Sequence, residues 1–209
     1  MSKPPLFIHV DQNDLNQIKT MLSGIKNAVP RVTQRAVNRT LTGVRTDSTN
    51  EVAKVVALKK KVIRVSIKVT KLGRNGGAAY VRCHGKRLPL MAFGARELKS
   101  GKGVTVKVLK NSPRSLIKHA FITKMKSGHE GVFWRKNVHG WKRSNIKRPK
   151  KQYAKMPKKY RLPMEELFSF AVPDVMGHGP TMAEIMRLAG IRLKKEVDQA
   201  LNYELSKLK

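Results

Sequence analysis

Metal binding or acid–base catalysis in this chain would have to draw mainly on six histidines, one cysteine and thirteen carboxylates. Their spacing assembles no recognised site. Cys83 and His84 are adjacent, so on a strand they point to opposite faces and do not ligate jointly, and His129, Glu130 and His139 match no zinc pattern. Glu165 and Glu166 form the only adjacent acid pair. A nuclease would use such carboxylates to hold divalent cations, but beside the apolar run Leu167 to Val172 they read as a helix-start or salt-bridge pair. Gly101-Lys102-Gly103 invites a phosphate-loop reading and fails it twice. The loop requires a glycine where Arg96 stands and a hydroxyl residue where Gly103 stands. No Ser, His and Asp constellation stands out either. The sequence therefore reads as a protein without catalytic, cofactor or metal residues.

Basic side chains are what remain. The chain carries 45 Lys and Arg against 13 Asp and Glu, a formal +32. Charge of that size repels itself and calls for a polyanion or acidic neighbours. It is concentrated in two acid-free blocks, Val52 to Arg96 and Arg135 to Arg161, each with twelve Lys or Arg. Candidate DNA- or partner-facing residues are Lys59, Lys60, Lys61 and Arg64 in the first block. In the second they are Arg143, Lys147, Arg148, Lys150, Lys151, Lys158 and Lys159. Trp141, Tyr153 and Tyr160 are interleaved there, to stack on bases or to anchor the segment on a protein. Phosphate contacts carry no sequence information, so DNA binding through these residues would be nonspecific and salt-dependent. A merely solvated loop is the bland alternative.

Cys83 is the single cysteine and cannot close an internal disulfide, which fits manufacture in a reducing cytoplasm. The first ten residues are too short an apolar stretch for a signal peptide, and no segment approaches a membrane span. The chain thus reads as soluble, unsecreted and unanchored.

The elements that must position these charges follow from hydrophobic period. Leu15, Ile18, Met21, Leu22 and Ile25 recur at helical spacing, with Asp11 or Asn13 as cap. A long helix is predicted over about Pro30 to Leu58, its stripe running Val37, Leu41, Val44, Val52, Val55 and Val56 with a polar gap over Asp47 to Asn50. Lys59 to Leu72 supports either helix or strand. Arg74-Asn-Gly-Gly77 is a turn, after which Ala78 to Cys83, Leu88 to Phe93, Val104 to Leu109, Ile117 to Met125 and Gly131 to Arg135 read as short antiparallel strands. Residues 136–161, interrupted by Pro149 and Pro157, read as an extended basic arm. A closing helix is predicted from the Thr181-x-x-Glu184 capping box after Pro180. Its stripe is Met182, Ile185, Met186, Ala189, Leu193, Val197, Ala200, Leu201, Leu205 and Leu208, mildly interrupted by Gly190. The expected architecture is α+β: an antiparallel sheet or small β-sandwich flanked by a long N-terminal helix and a C-terminal helix, with an extended basic loop. It is read as a single domain over 1–209. Within it, 1–29 is an N-terminal extension or short helix, 30–72 the long helix and basic connector, 73–135 the strands, 136–161 the arm, and 162–209 the return segment and last helix.

In that order of pieces the chain resembles the minor tail protein Z family of lambda-like phages, over roughly Ile25 to Lys209. The resemblance rests on Ala36-Val-Asn-Arg39, Leu88-Pro-Leu-Met-Ala-Phe-Gly94, Gly103-Val-Thr-Val-Lys107 and Ala120-Phe-Ile122. It continues through Ser127-Gly-His-Glu-Gly-Val-Phe-Trp-Arg135, Arg161-Leu-Pro-Met-Glu-Glu-Leu167 and Val172-Pro173. Each motif is short, and their order and spacing carry the match. The resemblance implies a structural virion protein of a long-tailed phage, a tail-completion or neck protein assembled in the host cytoplasm. It implies a ring, a hexamer by family analogy, at the head-proximal end of the tail, helping head–tail joining and genome-end positioning. Implied partners are the tail terminator and head-completion proteins, the tail tube or tape measure protein, and nonspecifically bound double-stranded DNA, with no membrane. It transfers no catalytic residue, and His129 is expected to be a structural hydrogen-bonding residue. The competing reading from charge alone is a free nonspecific nucleic-acid-binding protein.

Overall fold

A computed structural model of the chain describes Thr20 and residues 28–74, 76–98, 103–135 and 164–208. The helix expected at Leu15 to Ile25 lies outside the described residues, Thr20 excepted. So do the 136–161 arm, Asn75 of the predicted turn, and Gly101 and Lys102. The described elements are α+β, as expected, and fall into two compact units. One comprises residues up to 55, 59–86 and 171–209; the other comprises 56–58 and 87–170.

The first unit is built on two long helices, α1 (Ala28–Val55) and, later in the chain, α4 (Gly179–Leu205). Between them come a short helix α2 (Lys60–Ser66), the strands β1 (Ile67–Thr70) and β2 (Tyr80–Cys83), and, after the second unit, a short helix α3 (Val172–Met176). In α1 the buried positions Ala28, Val32, Ala36, Thr40, Val44, Ser48 and Val52 recur every four residues, with Leu41, Thr49 and Ala53 beside them. That row faces α4, which runs antiparallel to α1. Ala28, Val32 and Ala36 cluster with Ala200, and Val29, Val197 and Leu201 pack around them. Small side chains along this seam let the helix axes approach closely.

The polar gap predicted in the α1 stripe is filled: Ser48 and Thr49 are buried, and Thr49 satisfies its hydroxyl by donating to the Arg45 carbonyl at 2.7 Å. In α4 the stripe is narrower than predicted. Ile185, Ala189 and Ala200 are buried, whereas Met186 and Leu205 are exposed. The helix also starts two residues before the predicted Thr181 cap. His178 is its N-cap, Pro180 occupies the first turn, and Thr181 lies inside with its side chain covered. Proline is suited to that turn because it lacks a donor and its fixed φ is already helical.

Lys59 to Leu72, ambiguous in sequence, is both helix and strand. At Ser66 the buried spacing changes from helical (Ile63, Ile67) to alternate (Ile67, Val69), and the chain passes directly from α2 into β1. β1 and β2 pair antiparallel, with Ile67 opposite Cys83, Lys68 opposite Arg82, Val69 opposite Val81 and Thr70 opposite Tyr80.

The second unit contains two three-stranded antiparallel sheets. One has the order β3 (Arg96–Glu97), β4 (Gly103–Val106), β5 (Ser115–Lys118). The other has β6 (Phe121–Lys124), β7 (Glu130–Arg135), β8 (Met164–Glu166). The stretch read as one strand from Ile117 to Met125 is divided between the sheets at His119, whose φ of 63° turns the chain. Leu88 to Phe93 is not a strand. Pro89 makes only an isolated antiparallel bridge to Phe168, Leu90–Phe93 forms a 3-10 turn, and Gly94 closes it at φ 66°, so the Pro and Gly that bracket the apolar residues win over their β-like composition. The return segment binds back here: Ser169 N–H donates to the Leu88 carbonyl at 2.8 Å, and Phe93 meets Phe170 edge-on at 5.6 Å. Val104, Val106, Ala120, Val132 and Phe133 supply buried apolar surface.

Candidate functional site

Where the carboxylates go decides what chemistry is left. Asp47 accepts two hydrogen bonds from Arg192, both at 2.9 Å, across the helix seam. Glu204, only 2 % exposed, is met by Arg35 at 3.4 Å, Arg31 at 3.6 Å and Lys207 at 3.2 Å. Arg39 faces Glu196 at 3.8 Å, and Lys54 pairs with Glu51 at 2.7 Å. Glu184 and Arg187 form a two-point pair that lowers the carboxyl and raises the guanidinium in pKa. Asp174 accepts from the Ala171 backbone at the start of α3, and Glu97 from Ile122 N–H. Asp47, Glu196 and Glu204 tie α1 to α4 and Glu97 ties β3 to β6, whereas Glu51, Asp174 and Glu184 are engaged locally.

The Glu165–Glu166 pair follows the same rule. As strand neighbours they diverge: Glu165 accepts from Trp134 Nε1 at 3.3 Å, while Glu166 contacts His129 Nε2 at 2.9 Å. The His129–Glu166 pair packs over Gly131, where a side chain would collide with the Glu166 carboxylate and the Phe133 ring. His129, just before β7, thus makes a side-chain hydrogen bond to β8, in keeping with the structural hydrogen-bonding role expected of it. Cys83 is half-buried, and burial pushes its thiol up to about 12, so it stays protonated and is a poor nucleophile. His84, next to it, is exposed. Among the described residues no group of three or more His, Cys, Asp or Glu converges on one point, and no helix is long and apolar enough to cross a membrane.

The basic candidates behave differently. Lys59 caps α2 without a side-chain bond, and Lys60, Lys61 and Arg64 are exposed along it, anchored through buried Ile63. Three lysines thus crowd the first turn of a helix, where positive charge is unfavourable. Lys60 donates to Asn50 Oδ1 at 2.8 Å, and the Arg64 carbonyl accepts from Arg45 at 3.0 Å. Neither contact neutralises charge. Arg143, Lys147, Arg148, Lys150, Lys151, Lys158 and Lys159 lie outside the described residues.

Sequence reasoning missed a paired basic feature inside the first block. Lys68 and Arg82 face each other across β1 and β2, both exposed, with the Arg82 guanidinium 5.1 Å from the Tyr80 ring centre. The signal was present: Lys68 and Arg82 alternate with the apolar Ile67, Val69, Val81 and Cys83. The helix–strand ambiguity of 59–72 hid the register that brings them together.

This is an α+β protein whose acids serve mainly as internal fasteners and whose uncompensated charge is basic and outward. The chain belongs to the prophage minor tail protein Z family, whose model matches residues 13–208. It is accordingly a structural protein of a phage tail, found in the virion with other phage structural proteins. No curated protein and no solved structure gives a significant match.

Proposed function

We propose that this chain is a tail-completion protein without enzymatic activity, forming a ring at the head-proximal end of the tail. There it helps join head to tail and positions the genome end. Membership of the minor tail family supports the location, and the observation that carries the reading is the division of charge. Carboxylates such as Glu204, Asp47 and Glu166 are engaged inside the fold, whereas Lys59, Lys61 and Arg64 are exposed with no acidic partner among the described residues. A protein built this way keeps its cations for a neighbour. Its neighbours would be the tail terminator and head-completion proteins, the tail tube or tape measure protein, and DNA held nonspecifically. A ring, a hexamer by family analogy, requires heterologous contacts between unlike faces of successive copies.

Electron microscopy and mass spectrometry of purified particles test this. The expected result is one ring of this chain between tail tube and head, and its absence from particles overturns the proposal. The +32 charge also fits a free nonspecific nucleic-acid-binding protein. That second reading requires tight DNA binding by the monomer together with its absence from assembled tails.

A further inference from the structure

We propose that the outward face of the β1–β2 hairpin, formed by Lys68, Thr70, Tyr80 and Arg82, is a docking surface for the phosphodiester backbone of double-stranded DNA. The inference deepens the tail reading and rests on it for the presence of DNA.

Register is the first observation. Lys68 and Arg82 are directly opposed partners on neighbouring strands, and side chains so placed stand about 5 Å apart at Cβ. Two cations at that distance destabilise the ladder unless an anion lies between or above them. Among the described residues neither has a carboxylate partner, and the acid-free block from Val52 to Arg96 offers none nearby in sequence. The hairpin does not escape by slipping. Ile67 and Val81 are fully buried on the other face, and a one-residue shift would turn them outward. The opposed charges are therefore fixed by the core beneath them.

Preorganisation is the second observation. Arg82 lies against the Tyr80 ring, which restricts the guanidinium before any partner arrives. Lys71 and Arg74 follow on the connection from β1 to β2, both exposed, so the cationic surface continues past the strands.

The donor set decides between a nucleic acid and an acidic protein. This face offers cationic donors and two hydroxyls, with no carboxylate and no aliphatic side chain to form the dry centre of a protein interface, from which lysine is depleted. Phosphodiester oxygens are all acceptors and match it. Contacts of this kind position a duplex without reading its sequence.

The test measures binding of the full chain to a random-sequence duplex by fluorescence anisotropy across a salt series. The double variant Lys68→Gln/Arg82→Gln is compared with Lys118→Gln/Lys124→Gln, which removes the same charge from exposed positions of the other unit. Loss of two phosphate contacts should make the log–log salt slope shallower by about 2 for the hairpin variant and leave the control at the wild-type slope. The exchanged variant Lys68→Arg/Arg82→Lys keeps the charges and should keep the slope. Relief of the like-charge pair should leave the hairpin variant melting no lower than wild type, which separates lost binding from lost folding. Equal slopes for both double variants, or a lower melting temperature for the hairpin variant, overturns the proposal. So does weakened binding to a poly-glutamate peptide with duplex binding unchanged, which would make the partner an acidic protein. Absence of the chain from particles would sink the tail role while leaving the slope result standing.

Discussion

Gly103 opens β4 at φ 141°, opposite Lys118, and a Cβ there would run into the Ile117 carbonyl. Backbone cannot move aside as a side-chain tip can, so Gly103→Ala combines a disfavoured φ with a collision. It should cost at least about 2 kcal/mol and lower the melting temperature by several degrees, read by circular dichroism. The Gly101-Lys-Gly103 stretch failed as a phosphate loop, and this backbone position gives the physical reason for glycine at its end. Cys83 gives a second test at this scale. Because burial holds the thiol protonated, an Ellman's reagent assay near pH 8 should find it slow in the folded chain and fast in denaturant. Equal rates would contradict that burial. Glu204 was not legible at all. Nothing in Asn-Tyr-Glu-Leu near the C-terminus marks a carboxylate that tertiary structure buries beside Arg31 and Arg35, about 170 positions upstream. Its three cations remain one-third to one-half exposed, so Glu204→Gln should cost about 1–3 kcal/mol rather than the larger penalty of a wholly buried pair. Double-mutant thermal melts with Arg35→Met should show non-additivity.

At the scale of elements, α1 and α4 hold each other by an apolar row and by ion pairs laid along it, Arg35 with Glu204, Arg39 with Glu196 and Asp47 with Arg192. The order of these pairs descends in α4 as it ascends in α1, which also fixes the register of the two helices. The row was legible in part: Leu41, Val44 and Val52 belong to the predicted stripe, whereas Ala28, Val32 and Ala36 do not and the predicted Val37 and Val55 are only half-buried. Its continuation through Ser48 and Thr49 was not: Thr49 is satisfied only once the helix brings the Arg45 carbonyl to it, and the Ser48 hydroxyl is buried with no hydrogen-bond partner among the described residues. Outward Met186 was misread for the converse reason: one apolar residue beside Ile185 carries no directional information. Ending the chain after Gly179 should uncover Val32, Leu41 and Val44, each worth about 2 kcal/mol of burial. Expression should then move the chain from the soluble to the insoluble fraction. A soluble truncate with the full helical signal expected of α1 would show that the seam is dispensable.

Across the whole molecule, charge and fold address different questions. With thirteen acids against 45 Lys and Arg, even complete internal pairing leaves most cations unmatched, so the surplus belongs to whatever the tail places beside this chain. That imbalance was visible before any element was, but its distribution was not, because exposure at Lys61 or Lys68 depends on which face Ile63 and Ile67 turn inward. The second acid-free block supplies the last prediction. Neutralising Arg143, Lys147, Arg148, Lys150 and Lys151 to glutamine removes five charges clustered around Pro149, in a run whose sequence shows no apolar periodicity. The purified variant should melt within about 2 °C of wild type, since such surface changes rarely exceed 0.5 kcal/mol each. Phage complemented with it should instead yield fewer infectious particles, with tails and filled heads accumulating unjoined or joined particles failing to deliver DNA. Normal titres would remove the arm from the function and leave the described basic surface, α2 and the β1–β2 hairpin, to carry it.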